Sequence, residues 1–364
     1  MIEATGNRRP RRTTLYSWAR QWKRVVLIEA SIHSDILRDM IDWRIPDGGK
    51  HAVAAIESKM GMTGYEHPGY VTSLSEFGSV LRLPHSEGWA LRRPIVDSTE
   101  SDLIGPYPLF FCQNWSRLPE DLSDLAGKAV SFSIVTDPFA DLKVEFLKSF
   151  FDVVVPFKKH FIAELSRPIK KLVSKSHQET VRRALKKVEV SLCPDPPALL
   201  SEWSGLYCNL ARRHGITGIR AFSERAFAQQ LTIPGLVAFE AREIATGEIV
   251  GLDLWYLQRD IAYGHLAAFS DRGYELRASY ATKWHVLDYF MNKARYLNLG
   301  AAAGASAEVS LDDGLAKFKR GWSSDTRTNY FCGKVLEPDV YARLVRDRNA
   351  EAVSFFPAYR KGAF

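Results

Sequence analysis

In the C-terminal half of this 364-residue chain the spacing of apolar positions changes several times, and each change marks an element. Ala198 to Arg213 places its apolar residues at helical intervals and stops at Gly215. Ser223 suits the N-cap of a helix from Glu224 to Leu231, which Pro234-Gly235 would end. Three apolar runs follow, Leu236 to Arg242, Ile249 to Leu257 and Ile261 to Phe269. The polar turns Ala245-Thr246-Gly247-Glu248 and Gln258-Arg259-Asp260 join them, which predicts an antiparallel meander. A long helix from about Ser279 to Arg295 leads into a buried strand, Tyr296 to Gly300, then a small-residue loop and a helix closing on Phe318-Lys319-Arg320-Gly321-Trp322.

The N-terminal half is less regular. Leu15, Trp18, Trp22 and Val25 recur at helical spacing and predict a short amphipathic helix, after a polar, basic and disordered tail over residues 1–14. Glycine-rich turns are expected near Gly48-Gly49 and from Gly61 to Gly69. Strand-like runs occupy Gly78 to Leu83, Leu109 to Cys112, Val130 to Val135 and Phe151 to Val155, with a helical pattern from Asp141 to Phe150. Strands alternating with helices imply an α/β layer rather than a helical bundle. From Lys159 to Lys187 the chain reads as helices interrupted at Pro168.

Composition narrows the class. The chain is long enough for two ordinary domains, and 46% hydrophobic with 25% charged residues is globular usage. No apolar run approaches the roughly 20 residues of a spanning helix. Arg8, Arg9, Arg11 and Arg12 precede no apolar stretch of export-signal length, so a cytoplasmic location is expected. Cys112, Cys193, Cys208 and Cys332 are scattered, and the nine histidines lack ligand spacing, so no metal is implied. The net charge of +7 changes the picture because it is concentrated: Phe157 to Lys187 holds ten Lys/Arg against two Glu. Such a run suits a polyanion, RNA or a phosphate-bearing donor; the plainer reading is a pair of solvated helix faces.

Asn298-Leu299-Gly300, then Gly314-Leu315-Ala316-Lys317-Phe318-Lys319 and Gly321-Trp322, resemble the C-terminal end of the GNAT-like domain in Fem-type aminoacyl transferases and proteins with a BioF2-like acyltransferase domain. Ser176 to Lys187 resembles the Arg-rich segment before their second domain, and the likeness spans about Asp152 to Leu336. The resemblance implies an α/β (α+β) fold of tandem GNAT-like domains with a mixed central sheet flanked by helices. The expected limits are a tail at 1–14, a first domain at 15–155, a basic helical segment at 156–195, a second domain at 196–340 and a C-terminal tail at 341–364. It further implies an N-acyltransferase that joins an acyl or aminoacyl group to an amine, with aminoacyl-tRNA or acyl-CoA as donor and no permanently bound cofactor. A small metabolite, a glycan or a cell-wall precursor would suit as acceptor. The alternative is a non-catalytic RNA-binding or assembly protein on the same scaffold.

Acyl transfer to an amine needs a base and a group to stabilise the oxyanion, without an obligatory covalent intermediate. At the start of the long helix, where coenzyme A enzymes of this fold carry Arg/Gln-x-x-Gly-x-Gly/Ala, the chain has Ser270 to Ser279. Arg272, Gly273 and Arg277 are the candidates to hold phosphate there, and the missing pattern fits the Fem-type branch better. Lys170, Lys171, Lys175, Arg182, Arg183, Lys186 and Lys187 are candidate phosphate or nucleic-acid contacts. With a three-residue loop after Leu257, Asp253 would face His265 and make it a candidate base; a two-residue loop slips the register and loses the pair. The resemblance sets Phe318 and Lys319 by the acyl-donor end, with Lys319 as charge stabiliser. Otherwise Lys317, Lys319 and Arg320 form the solvated side of a helix whose core is Leu315, Phe318 and Trp322. Tyr280, beside Ser279, is a candidate hydroxyl donor.

Overall fold

In the computed structural model, residues 61–302 and 314–360 are described, and those from Met62 onward fall in one unit, Met62–Phe364. The expected tail, the Leu15 to Val26 helix and the Gly48-Gly49 turn lie outside the described residues. The strands are β1 Ser79–Leu83, β2 Gly88–Pro94, β3 Ser101–Ile104, β4 Ser131–Val135, β5 Val153–Glu164, β6 Val188–Leu192, β7 Leu236–Glu243, β8 Ile249–Gln258, β9 Ile261–Phe269, β10 Tyr296–Ala301 and β11 Asp325–Val335. The helices are α1 Pro68–Ser73, α2 Leu118–Leu125, α3 Val144–Lys148, α4 Ile169–Leu172, α5 Lys175–Ala184, α6 Leu200–His214, α7 Glu224–Gln230, α8 Asp271–Glu275, α9 Ala278–Phe290, α10 Gly314–Arg320 and α11 Pro338–Asp347.

The eleven strands of the described residues join one open mixed sheet in the order β1-β2-β3-β4-β11-β5-β10-β9-β8-β7-β6. Its pairs are antiparallel except β3 with β4 and β9 with β10. Both faces are covered, which is why β8 reads as an almost unbroken apolar run rather than an alternating one. Successive β8 residues enter different cores, as the pleat requires. Leu252, Leu254 and Tyr256 pack on the first face with Tyr70 of α1, Trp203 of α6 and Phe227 of α7. Trp255 packs on the second face with Phe290 of α9, Val181 of α5 and Ala316 of α10. A third core joins Phe132 and Cys332 to Leu118 and Leu122 of α2 and Leu147 of α3. None of the described helices is long and apolar enough to cross a membrane.

The meander, the two helices before it and the strand–helix order after it match their predicted places. The basic segment does not. Lys159 to Glu164 belongs to β5, a 12-residue strand paired with β11 on one side and β10 on the other. The lysines there hide a period of two, in which Phe161 and Ala163 enter the second-face core. Pairing along both edges decides the conformation, and helix begins only at Ile169. Pro156 sits where the register with β11 shifts, a bulge that tolerates its missing N–H. Leu109 to Cys112, expected as a strand, contributes only the bridge from Phe110 to Thr136. At the other end of the chain, the Arg360 guanidinium clasps buried Asp102 at 2.5 and 2.9 Å, and Arg93 donates to the same carboxylate at 3.1 Å.

Candidate active site

β9 and β10 run parallel and pair only from Ile261/Tyr296 to Tyr263/Asn298, although both strands continue. Beyond that pair the sheet opens. The opening is built into β10: Gly300 has φ +75, and the register with β5 shifts between Asn298 and Ala301. Only glycine adopts that backbone without strain.

A buried polar chain fixes the bulge. Asn298 Oδ1 accepts the Gly300 N–H at 2.9 Å and faces His160 Nδ1 at 3.0 Å, while Asn329 Nδ2 lies 3.1 Å from His160 Nε2. The Lys158 N–H donates to Asn329 Oδ1 at 2.9 Å. Backbone N–H groups can only donate, so both amide orientations follow, and with them a neutral ring protonated at Nδ1. Burial pushes the His160 pKa down to about 4 against the Asn298 hydrogen bond, and the charges of Lys319 and Lys158 push the same way.

Lys319 reaches this strand end from α10. Its Nζ donates to Ala301 O at 2.7 Å, and a Cβ on Gly300 would lie 3.1 Å from it. The structure therefore divides the cationic trio of this helix: Lys317 and Arg320 are exposed, Lys319 is half-buried at the sheet opening. Phe318 turns to the second-face core and meets Tyr280 with ring centroids 5.0 Å apart. His177 of α5 locks onto α10, its Nε2–H donating to Phe318 O at 3.0 Å. Gly321 leaves the space for that ring, since a Cβ there would lie 2.3 Å from it.

Tyr280 connects this cluster to a notch of about 620 Å³ between α5 and the start of α9. Among the described residues, Arg183, Lys186, Lys187 and Arg277 line it against one carboxylate, that of Glu275. Arg277 stands at the N-cap of the 13-residue α9 in a left-handed conformation, φ +59, and makes no side-chain cap. A helix N-terminus among four cations is a favourable place for phosphate. Lys170, Lys171, Lys175 and Arg182 lie outside the notch and are exposed, continuing the basic surface along α4 and α5.

Two residues expected to hold phosphate serve the scaffold instead. Arg272 binds Glu243 at 2.5 Å and Glu275 at 2.9 Å. Gly273 lets α8 approach β8 closely, a Cβ there falling 2.1 Å from Val250 O, and its N–H is capped by Ser270.

The Asp253–His265 pair does not form. The turn after β8 has two residues, Gln258 pairs with Ile261, and a register shift between Leu254 and Trp255 sets Asp253 opposite Ala267. Asp253 lies under α9, bound to Lys283 Nζ at 2.6 Å and Trp255 Nε1 at 2.9 Å. His265 joins the first-face core, where Nε2–H donates to Gln230 Oε1 and Nδ1 accepts from Tyr65 OH, both at 3.1 Å. Burial pushes its pKa down to about 3, too low for a useful base near neutral pH.

The first face carries a carboxylate that sequence reasoning missed. Tyr263, in the last pair before the opening, donates its hydroxyl to both oxygens of Asp137 at 3.1 Å. Burial raises the Asp137 carboxyl to about 7, over the opposing hydrogen bonds from Phe139 N–H and Tyr263; the Glu66 charge adds to the rise and Arg259 subtracts. Glu66 is also raised by burial, although Arg259 lies 2.6 Å from it. These groups line a cleft of about 240 Å³ with Asp260 and the rings of Phe111, Trp115, Phe139 and Tyr263. Its only trace in sequence is Asp137-Pro138 directly after the apolar run Val130 to Val135.

No family model matches the chain, and no curated protein matches it. Among solved structures it is similar to FemX, 12% identical, covering 76% of this chain and 93% of that one with a TM-score of 0.58. The C-terminal domain of a protein assigned as a lysylphosphatidylglycerol synthetase from Agrobacterium fabrum is 11% identical over 77% and 90% of the two chains, TM-score 0.56. L-PGS from Bacillus licheniformis is 13% identical over 76% and 93%, TM-score 0.50. The chain thus has the Fem-like, GNAT-type fold, a mixed sheet flanked by helices.

Proposed function

We propose that this protein is an N-acyltransferase that moves an aminoacyl group from aminoacyl-tRNA to an amine. The observation carrying this reading is the Lys319 ammonium at the opened end of β10, with cations on one face of the sheet and a carboxylate on the other. The donor's terminal phosphates would rest in the notch at Arg183, Lys186, Lys187 and Arg277, its acyl carbon at the opening. The exposed cations of α4 and α5 extend well past the notch, which favours RNA over acyl-CoA.

In this reading Asp137 takes one proton from the acceptor ammonium, and the freed amine attacks the acyl carbonyl. The C–N bond forms as the carbonyl electrons move to oxygen, where Lys319 stabilises the charge. Collapse breaks the C–O bond to the ribose, or C–S in a thioester. The leaving oxygen or sulfur takes the second nitrogen proton, and Asp137 returns its own to solvent. A carboxyl near pKa 7 is matched to that task at neutral pH.

Transfer from charged tRNA and from acyl-CoA to a pool of amines, followed by mass spectrometry, tests the reading. Lys319→Ala is expected to lose roughly 10²- to 10³-fold in kcat at saturating donor. Asp137→Asn is expected to lose about 10²-fold or more and the acid limb near pH 7, below which the wild-type carboxyl is protonated and cannot accept. Unchanged turnover in Lys319→Ala would overturn the site; RNA retention without transfer to any amine would make the protein a binding module.

A further inference from the structure

We infer that the acceptor is a small cationic amine with an aromatic or alkyl body, seated in the Asp137 cleft; the inference rests on the acyl-transfer reading for its consequence but not for its geometry. Charge argues first. In a chain of net charge +7, this cleft gathers, among the described residues, Glu66, Asp137 and Asp260 against one guanidinium, that of Arg259. The cations nearby are already engaged, Arg259 on Glu66 at 2.6 Å and Arg327 over the rings of Phe139 and Tyr296 at 4.4 and 5.2 Å. Asp137 receives only neutral donors, the Tyr263 hydroxyl and the Phe139 N–H. Among the described residues no ion pair reaches its carboxylate, so an ammonium is the partner its charge calls for.

Shape and lining argue next. Phe111, Trp115, Phe139 and Tyr263 supply ring surface around the carboxylates, and an aromatic wall favours a cation over a neutral or anionic group of the same size. A cleft of about 240 Å³ is below the roughly 300 Å³ at which pockets for drug-sized ligands begin. An amine of modest size fits; a glycan acceptor is too large, and the phosphates of a nucleotide-linked one would meet carboxylates. Position completes the case. Tyr263, in the last strand pair before the sheet opens, holds Asp137 on the first face, and the cleft extends from there to the β8–β9 turn.

The test is calorimetric titration of the full-length protein, without donor, using phenethylamine, its isosteric alcohol 2-phenylethanol and the anion 3-phenylpropionate. Phenethylamine is expected to bind at least ten-fold more tightly than the alcohol, and the anion not at all. Glu66→Gln and Asp137→Asn, each isosteric, are expected to weaken the amine about ten-fold while leaving the alcohol unchanged. Equal binding of amine and alcohol, or undiminished amine binding in both variants, overturns the inference. Transfer to an anionic acceptor in preference to phenethylamine also overturns it and leaves the acyl-transfer reading standing. Amine binding with no transfer from any donor sinks that reading instead and leaves the amine site intact.

Discussion

The notch beside α5 and the cleft around Asp137 lie against different faces of the sheet, and they are built in opposite ways. The notch is cationic, made of exposed side chains from the end of α5, the turn after it and the loop before α9. The cleft is acidic and aromatic, assembled from the segments around Glu66, Phe111, Asp137 and the β8–β9 turn. An exposed cation serves as a long-range attractor for a polyanion. A carboxyl shielded from water has a tuned pKa and suits proton transfer. Under the proposed acyl transfer, the two substrates would be sorted by charge before they meet.

The most severe perturbation reverses the sign of the notch. Replacing Arg183, Lys186 and Lys187 together by Glu is expected to lower kcat/KM by about 10³-fold for a tRNA donor. Its salt dependence should flatten by about one power of salt for each phosphate-binding cation removed. Steady-state kinetics over a salt series checks this. An unchanged salt slope would assign the cations to solvation alone.

That contrast also explains what could be read in advance. The basic run is contiguous in sequence, and so is the strand–loop–helix around Asn298 and Lys319; period and order were enough to place the second, and of the first only the helical part from Ile169 onward. The Asp137 cleft is joined only by folding, from residues spaced some 200 positions apart between Glu66 and Tyr263, and no local pattern announces it. His160 was hidden for a related reason. It stands in a lysine-rich stretch whose helical look yields to pairing with β10 and β11. The Asp253–His265 pairing failed on one residue of turn length and one bulge, the register sensitivity of any hairpin.

A second test uses acid. His160 is buried and neutral, with a pKa near 4 against about 6.5 in an unfolded chain. The unfolded state binds more protons between those values, so this group's contribution is fully present above about pH 6.5 and is lost as pH falls towards 4, on the order of 3 kcal/mol. His265 has the same sign. Asp137 has the opposite sign: its folded pKa of about 7 exceeds the unfolded one, so the folded state binds more protons and is favoured as pH falls from 7 to about 4. The wild type should therefore lose less stability on acidification than Asp137→Asn, and His160→Gln should lose less than the wild type. Urea denaturation at pH 7, 6 and 5 measures the ordering; parallel curves for all three would remove the electrostatic difference between the two regions.

The mildest perturbation is at Arg277, and it is the most discriminating. Its left-handed backbone, φ +59, costs a non-glycine residue roughly 1 kcal/mol, which Gly would relieve while losing about 0.5–1 kcal/mol to its greater freedom when unfolded. Arg277→Gly should thus leave thermal stability within about 0.5 kcal/mol of wild type. A residue kept only for the fold at such a position would be replaced by Gly without consequence. If Arg277 instead holds the donor's phosphate at the start of α9, the same change removes one of four notch cations. The donor KM should then rise about three- to ten-fold at low salt, with kcat and amine binding in the Asp137 cleft unchanged. A rise confined to the donor keeps the two regions functionally distinct. A fall in amine affinity would mean that the notch and the cleft act as one site, and the division by charge would have to be given up.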